Sequence, residues 1–103
     1  MIDYKALIEK YCSGNLELQT ILLTHSRQVA DRALAILIAH PQWVASGEVD
    51  PIFVEEAAML HDIGVVFCDA PKIHCMGSHA YIEHGYLGAE ILRQGLAQAC
   101  GCS

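Results

Sequence analysis

Basic residues, proline and long hydrophobic runs are scarce in this sequence, and each shortage excludes a class of protein. Lys and Arg number 6 against 12 Asp and Glu, so the formal net charge is −6. Binding a nucleic-acid polymer requires clustered basic residues, so we expect no such partner. The negative net charge does not exclude one small phosphorylated ligand that is held by a metal. The longest purely apolar stretch, residues 33–39, is far short of the ~20 residues that a membrane helix needs. With 3 prolines, the chain is neither collagen-like nor rich in linkers.

The composition is that of a single folded domain. The chain has 103 residues, and 53% of them are hydrophobic, too many for a disordered protein. Its length fits one domain over residues 1–103. The 5 cysteines are an odd number with neither a disulfide-framework spacing nor a common structural-zinc spacing, and the amino terminus lacks a signal-peptide pattern. We therefore expect a cytoplasmic protein with reduced thiols.

The spacing of apolar residues predicts an all-helical domain, because they recur three and four positions apart. A first helix is predicted over residues 3–11. A long second helix is predicted over residues 16–39, ended by Pro41, which forces His40 out of helical geometry. An apolar stripe on this second helix consists of Leu22, His25, Val29, Ala33 and Ile36. This stripe predicts that His25 points toward the core.

The second half of the chain is predicted to hold two shorter helices separated by a long loop. Asp50 and Pro51 mark the start of a third helix, as its cap and its first residue, and Gly64 is a candidate left-handed cap at its end. Residues 65–84 are predicted to be a loop, and loops of this length are often functional. A fourth helix is predicted over residues 85–94, with Gly95 ending it and residues 96–103 forming a frayed tail.

The central chemical feature is the pair His61-Asp62, which ends an apolar helix just before Gly64. Adjacent side chains on an ideal helix diverge by about 100°. Near a helix end the backbone can depart from that geometry, and both groups could then face one metal. Imidazole nitrogen with carboxylate oxygen suits Mn, Fe, Co, Ni or Zn better than Ca. The alternative is a buried histidine bonded to a carbonyl oxygen, with Asp62 on the surface.

Two further histidines favour the metal site over that alternative. His25 lies on the apolar stripe of the preceding helix, where a polar group must find a partner or lose stability. His84 begins another apolar face, and the positive end of a helix favours the neutral imidazole that binds metals. Histidines facing the core on neighbouring helices, one of them beside an aspartate, indicate a shared partner.

Three segments resemble a known family, the HD-domain metal-dependent phosphohydrolases. Residues 55–64, EEAAMLHDIG, are similar to the signature of that family. Residues 24–30, THSRQVA, resemble the segment that carries its first histidine, and residues 84–92, HGYLGAEIL, resemble a downstream histidine and helix of many members. The resemblance spans residues 16–95 and implies an all-α bundle of the HD type.

The resemblance also implies a set of functional residues and a reaction. His25, His61 and Asp62 would be metal ligands, His84 a ligand of a second ion, and Asp62 the carboxylate that bridges both; His61 and Asp62 are the catalytic candidates. One or two divalent transition-metal ions (Mn, Fe, Ni, Co or Zn) would lower the pKa of bound water, which then attacks phosphorus. The expected substrate is a small phosphorylated metabolite or nucleotide, cleaved at a phosphoester or phosphoanhydride bond.

Two departures from the family pattern shape the remaining expectations. The family ends its ligand set with an aspartate on a later helix, whereas this sequence has no aspartate after Asp69. We therefore expect a bundle that lacks its last helices, and the alternative function is a metal-binding or regulatory module with little or no turnover. Uncovered apolar faces would then favour a homodimer.

The second departure concerns the substrate. Many members carry a lysine directly after the His-Asp-Ile-Gly run, where this chain has Val65. Lys72 and Arg27 are candidates to replace that lysine as contacts to substrate phosphate. His79, five residues before His84, is a candidate for the mouth of the site, with a simple surface histidine as the alternative.

Overall fold

The chain forms a bundle of α-helices with one very small sheet, as a computed structural model that describes residues 2–99 shows. The helices are α1 (Tyr4–Tyr11), α2 (Leu16–Ala39), α3 (Pro41–Ala45), α4 (Pro51–Leu60) and α5 (His84–Ala99). The sheet pairs β1 (Asp69–Ala70) with β2 (Cys75–Met76) in antiparallel register. The all-α prediction is confirmed.

Three of the helices begin with a side-chain cap, and the sequence analysis predicted the one at Asp50. Asp3 Oδ1 accepts a hydrogen bond from the Ala6 amide at 3.0 Å, and Asn15 Oδ1 accepts one from the Leu18 amide at 3.2 Å. Asp50 Oδ1 accepts from the Ile52 amide at 3.0 Å, with proline as the first residue of α4. These caps satisfy amides that have no partner within the helix. The predicted starts of α1, α2 and α4 are confirmed.

Pro41 ends α2 as predicted, but it also starts a helix that the sequence analysis missed. His40 has φ −129° and ψ 62°, outside helical geometry, and is both the C-cap of α2 and the N-cap of α3. The fixed φ of proline suits the first position of a helix, so one residue both stops and starts helical structure here.

The core lies between α2, α4 and the segment that follows α4, with α1 packed across them. The buried positions of α2 are mostly four residues apart: Leu18, Leu22, Ser26, Ala30 and Leu37. The predicted stripe was therefore wrong at two positions. His25 is exposed, and Ile36 is 49% exposed, because the buried face of α2 follows this four-residue row and leaves both beside it.

The stretch predicted to be a loop over residues 65–84 has local structure. Short 3₁₀ turns span Ile63–Phe67, Pro71–Ile73 and Tyr81–Glu83; β1 lies between the first and second of these turns, and β2 lies between the second and third. Gly77 is required in this compact arrangement, because a Cβ there would overlap the backbone of Phe67. The predicted loop therefore contains no α-helix before His84, but it is folded locally, and hydrogen bonds among nearby backbone groups satisfy a segment that lacks helical periodicity.

Two predictions at helix ends also require correction. Gly64 is not a left-handed cap; among residues 2–99, the glycines with positive φ are Gly14 and Gly47, both at +81°. Helix α5 continues through Gly95 to Ala99, since one glycine inside a helix costs only about 1 kcal/mol. Residues 96–99 are thus helical, and the rest of the predicted frayed tail lies outside the described residues. None of the described helices combines the length and hydrophobicity that crossing a bilayer requires.

Candidate metal centre

Three histidines surround the carboxylate of Asp62. His25 Nε2 and His61 Nε2 each lie 3.1 Å from Asp62 Oδ2, and His84 Nε2 lies 3.4 Å from Asp62 Oδ1. The Asp62 side chain is 19% exposed, and the side chain of His25 is 50% exposed. The structure therefore brings together all four predicted ligands, in a cluster that is open to solvent on the His25 side.

Each ligand comes from a different local structure, and the end of α4 explains how two neighbours in sequence can face one point. His61 is the last cap of α4, with near-helical φ −61° and ψ −29°. Asp62 leaves helical geometry, with φ −107° and ψ 10°. This change of backbone direction overrides the divergence of an ideal helix. His25 extends from the middle of α2, and His84 is the first residue of α5.

Main-chain carbonyl groups fix the orientation of two of the imidazoles. His61 Nδ1 lies 2.6 Å from the Ala58 carbonyl oxygen, and His84 Nδ1 lies 2.7 Å from that of Tyr81. A carbonyl oxygen only accepts, so in both rings Nδ1 carries the proton and donates. In the neutral ring the other nitrogen, Nε2, then presents a lone pair. The sequence analysis missed both carbonyl groups. In each case the carbonyl belongs to the residue three positions before the histidine, at a helix terminus, and this spacing is a signal that the sequence contains.

This choice of tautomer tests whether the site suits a cation. The lone pairs of His61 Nε2 and His84 Nε2 face oxygens of Asp62, and two acceptors cannot hydrogen bond to each other. A second proton on each ring, or a cation among these atoms, removes the conflict. Ligand atoms of His25, His61 and Asp62 all lie within 4.8 Å of one another. Such a mixed nitrogen and oxygen donor set, with carbonyl groups behind the imidazoles, fits a divalent transition metal.

The alternative interpretation of the His61-Asp62 pair required a buried histidine bonded to a carbonyl oxygen and a surface aspartate. His61 does bond to a carbonyl oxygen, but its side chain is 36% exposed and not buried. Asp62 is mostly buried and pairs with three imidazoles, so it is not a free surface carboxylate. The prediction that His25 points into the core was wrong, because its exposed ring reaches Asp62 along the edge of the bundle.

Two of the predicted substrate-binding residues, Arg27 and His79, form ion pairs outside the cluster. Arg27 pairs with Asp31 at 2.9 Å, lies 3.8 Å from Glu55, and donates to the Tyr4 hydroxyl at 3.5 Å. That hydroxyl in turn donates to Glu55, which raises the pKa of Tyr4. Within the described part of the chain, the side-chain nitrogens that lie within 4 Å of the Asp62 carboxylate belong to the three histidines, and Arg27 is not among them.

The other two candidates lie on the segment between α4 and α5. His79 Nδ1 is 3.2 Å from Glu83 Oε2, with both side chains 50% exposed. Lys72 lies on the exposed 3₁₀ turn Pro71–Ile73. The contact of these residues, and of Arg27, with a substrate stays a prediction.

Comparison with known proteins identifies the family at this point. Neither a search of curated proteins nor a search of solved structures found a match. A family model described as the HD domain matches residues 22–98, a span that contains every member of the His25, His61, Asp62 and His84 cluster. The chain belongs to the HD domain family.

Proposed function

We propose that this protein is a metal-dependent hydrolase of phosphoester or phosphoanhydride bonds in a small phosphorylated metabolite or nucleotide. The observation that carries the proposal is the approach of three imidazole nitrogens, from His25, His61 and His84, to within 3.1–3.4 Å of the Asp62 carboxylate. HD domains bind divalent metals, and the donor set of this chain fits one.

In this proposal His25, His61, Asp62 and His84 hold the metal, as one ion or as two with Asp62 shared. A bound divalent ion supplies Lewis-acid activation of water and neutralises charge on phosphoryl oxygens. The Ala58 and Tyr81 carbonyl oxygens hold two imidazoles in the tautomer that leaves Nε2 free to bind. Asp62 supplies the negative charge that balances the ion, so its carboxylate and His61 are the proposed catalytic positions.

Charge and exposure also support a small anionic substrate. The chain carries a net charge of −6, so its surface offers a polyanion little electrostatic attraction. We therefore propose no nucleic-acid polymer as a partner. A single phosphate can instead be attracted by the ion. The half-exposed ring of His25 leaves that side of the cluster accessible from solvent. Mn, Fe, Ni, Co and Zn all remain candidates for the ion.

A second candidate function is a metal-binding or regulatory module that does not turn over substrate. The observation that favours it is the single carboxylate in the cluster, which leaves a bound metal with fewer fixed protein ligands. Alignment of the attacking water with the leaving group demands a firmly held metal.

One experiment separates the two functions. Protein stripped with a chelator is reloaded with Mn²⁺, Fe²⁺, Ni²⁺, Co²⁺ or Zn²⁺, and hydrolysis of p-nitrophenyl phosphate and inorganic pyrophosphate is measured. The proposed hydrolase shows metal-dependent turnover, which Asp62→Asn and His61→Ala reduce by about 10²-fold or more. His40→Ala is the matched control, because that ring stacks on Trp43 at 4.1 Å and contacts none of the cluster. Metal uptake without turnover would overturn the hydrolase in favour of the regulatory module.

A further inference from the structure

The ring of Tyr81 stands directly beside the metal cluster without belonging to it. Its centroid is 4.7 Å from that of the His84 ring, with 31° between the planes. His84 in turn directs Nε2 toward Asp62 at 3.4 Å. One imidazole therefore separates the Tyr81 ring from the proposed metal position.

Tyr81 remains 47% exposed in spite of this contact. The imidazole covers part of the ring, and nearly half of the residue is accessible to solvent. Exposed aromatic rings are normal when they are isolated, but this one lies next to a cluster of ligand groups. A flat apolar surface beside a charged site is the combination that binds an organic ring attached to a phosphate.

The position of Tyr81 is also fixed by hydrogen bonds on both sides of it. Its own carbonyl oxygen accepts from His84 Nδ1 at 2.7 Å. The Glu83 amide donates to the Ala80 carbonyl oxygen at 3.0 Å, which closes the 3₁₀ turn that carries Tyr81. Because the turn is tied to a proposed ligand, little ordering is needed when a substrate ring packs on the tyrosine.

The nearest acid on the same turn is already engaged. Glu83 Oε2 lies 3.2 Å from His79 Nδ1, so this carboxylate already has a partner within the segment between α4 and α5. Within the described residues no lysine or arginine forms an ion pair with Asp62, so the bound ion would supply the positive charge that attracts a phosphate. Selectivity for the organic part of a substrate must then come from packing.

We propose that Tyr81 is a specificity residue, whose ring stacks on a planar aromatic or heteroaromatic group of the substrate while the phosphoryl group lies at the His25, His61, Asp62 and His84 cluster. This inference rests on the proposed function and narrows its substrate class to phosphate esters that carry a flat ring. Stacking of a flat ring on an aromatic side chain is strong enough to change affinity by about tenfold or more.

Binding of analogues that cannot be hydrolysed tests the inference without requiring turnover. Phenylphosphonate and methylphosphonate have the same headgroup and differ in the ring. Titration calorimetry on Mn²⁺-loaded protein should show about tenfold tighter binding of phenylphosphonate. Tyr81→Leu, which stays apolar, should abolish that preference, and Tyr81→Phe should keep it. Tyr86→Leu is the matched control, because Tyr86 is 71% exposed and lies two residues beyond His84.

Activity measurements then separate this inference from the proposed function. With phenyl phosphate and methyl phosphate as substrates, Tyr81→Leu should lower the ratio of their kcat/KM values about tenfold, mainly through KM for the aryl ester. Equal losses for both substrates would show that the ring merely positions His84 and would overturn the inference. If the protein prefers the aryl ligand in binding but hydrolyses neither ester, the role of Tyr81 is supported and the hydrolase function is contradicted. If it hydrolyses both esters without preferring the aryl group, the hydrolase function is supported and the role of Tyr81 is overturned.

Discussion

Gly64 and His84 approach each other so closely that a Cβ on Gly64 would overlap the carbonyl oxygen of His84. The same Cβ would lie 2.5 Å from the amide nitrogen of Gly88, one turn further along α5. The 3₁₀ turn after Asp62 therefore packs directly on the backbone of α5. This contact brings the first residue of α5 to the carboxylate of Asp62, and glycine at position 64 is required for it.

Gly64→Ala should separate α5 from the turn. We expect a loss of unfolding free energy of about 3 kcal/mol or more, because the groups that must move are backbone atoms of a helix. Chemical denaturation followed by circular dichroism measures it. Gly85→Ala is the matched control: its Cβ would meet nothing within 4 Å, and alanine favours a helix by up to about 1 kcal/mol. Similar stability of the two variants would contradict the close approach.

Ser26 gives a second test of the core. It is 0% exposed on the α2 face toward α4, and its Oγ has no hydrogen-bond partner in the described structure. Burial of an unpaired hydroxyl costs about 1–3 kcal/mol. Ser26→Ala should therefore raise the unfolding free energy, by about 1 kcal/mol after the loss of some packing. A clear destabilisation measured by urea unfolding would mean that the hydroxyl has a partner.

The buried cysteines predict a decline in stability at alkaline pH. Cys12, Cys68 and Cys75 are at most 1% exposed, and burial raises the pKa of each thiol. The unfolded chain releases these protons from about pH 8.5, before the folded chain does. Unfolding is thus favoured as the pH rises above that value. The urea concentration at the midpoint of unfolding should therefore decrease as the pH is raised from about 8 to about 9.5. Cys68→Ala should reduce the slope; an unchanged slope would assign the decline to other groups.

Metal binding should stabilise the fold. A ligand that binds the folded state adds about 2.7 kcal/mol at a hundred times its Kd. Thermal unfolding with and without Mn²⁺ measures the shift in Tm, with excess chelator as the reference. Asp62→Asn should remove most of the shift. Ca²⁺ should give a smaller one, because calcium prefers an all-oxygen ligand set. A Tm that no transition metal raises would contradict the site.

The sequence predicted the helices with clear boundaries and the composition of the site. Caps such as Asp50 and a stop such as Pro41 act locally, so their effects can be inferred without tertiary contacts. The four clustered residues were found because histidine is uncommon within apolar helical patterns, because His61-Asp62 lies at a helix end, and because three segments resemble the HD-domain family. The expected homodimer and a single domain over residues 1–103 stay predictions.

The wrong predictions at Gly64 and His25, and the absence of any prediction for Tyr81, share a physical cause: these residues are placed by contacts with residues distant in sequence or by a turn without periodicity. Gly64 looks like a cap in the sequence, but its role is set by α5, some twenty residues later. His25 fits one apolar row along α2, but the neighbouring row through Leu22, Ser26 and Ala30 is the one that is buried. Tyr81 gave no signal, since its place beside His84 arises from a turn in a segment without periodicity.

The coordination of a bound metal is the most direct test of the central claim. X-ray absorption on protein loaded with one equivalent of Zn²⁺ or Co²⁺ resolves scattering from imidazole rings. The arrangement around Asp62 predicts histidine nitrogens together with carboxylate oxygen as ligands, and loss of one imidazole in each of His25→Ala, His61→Ala and His84→Ala. His40→Ala should leave the spectrum unchanged. Metal that binds with the same spectrum in all four variants, or does not bind at all, would contradict the account.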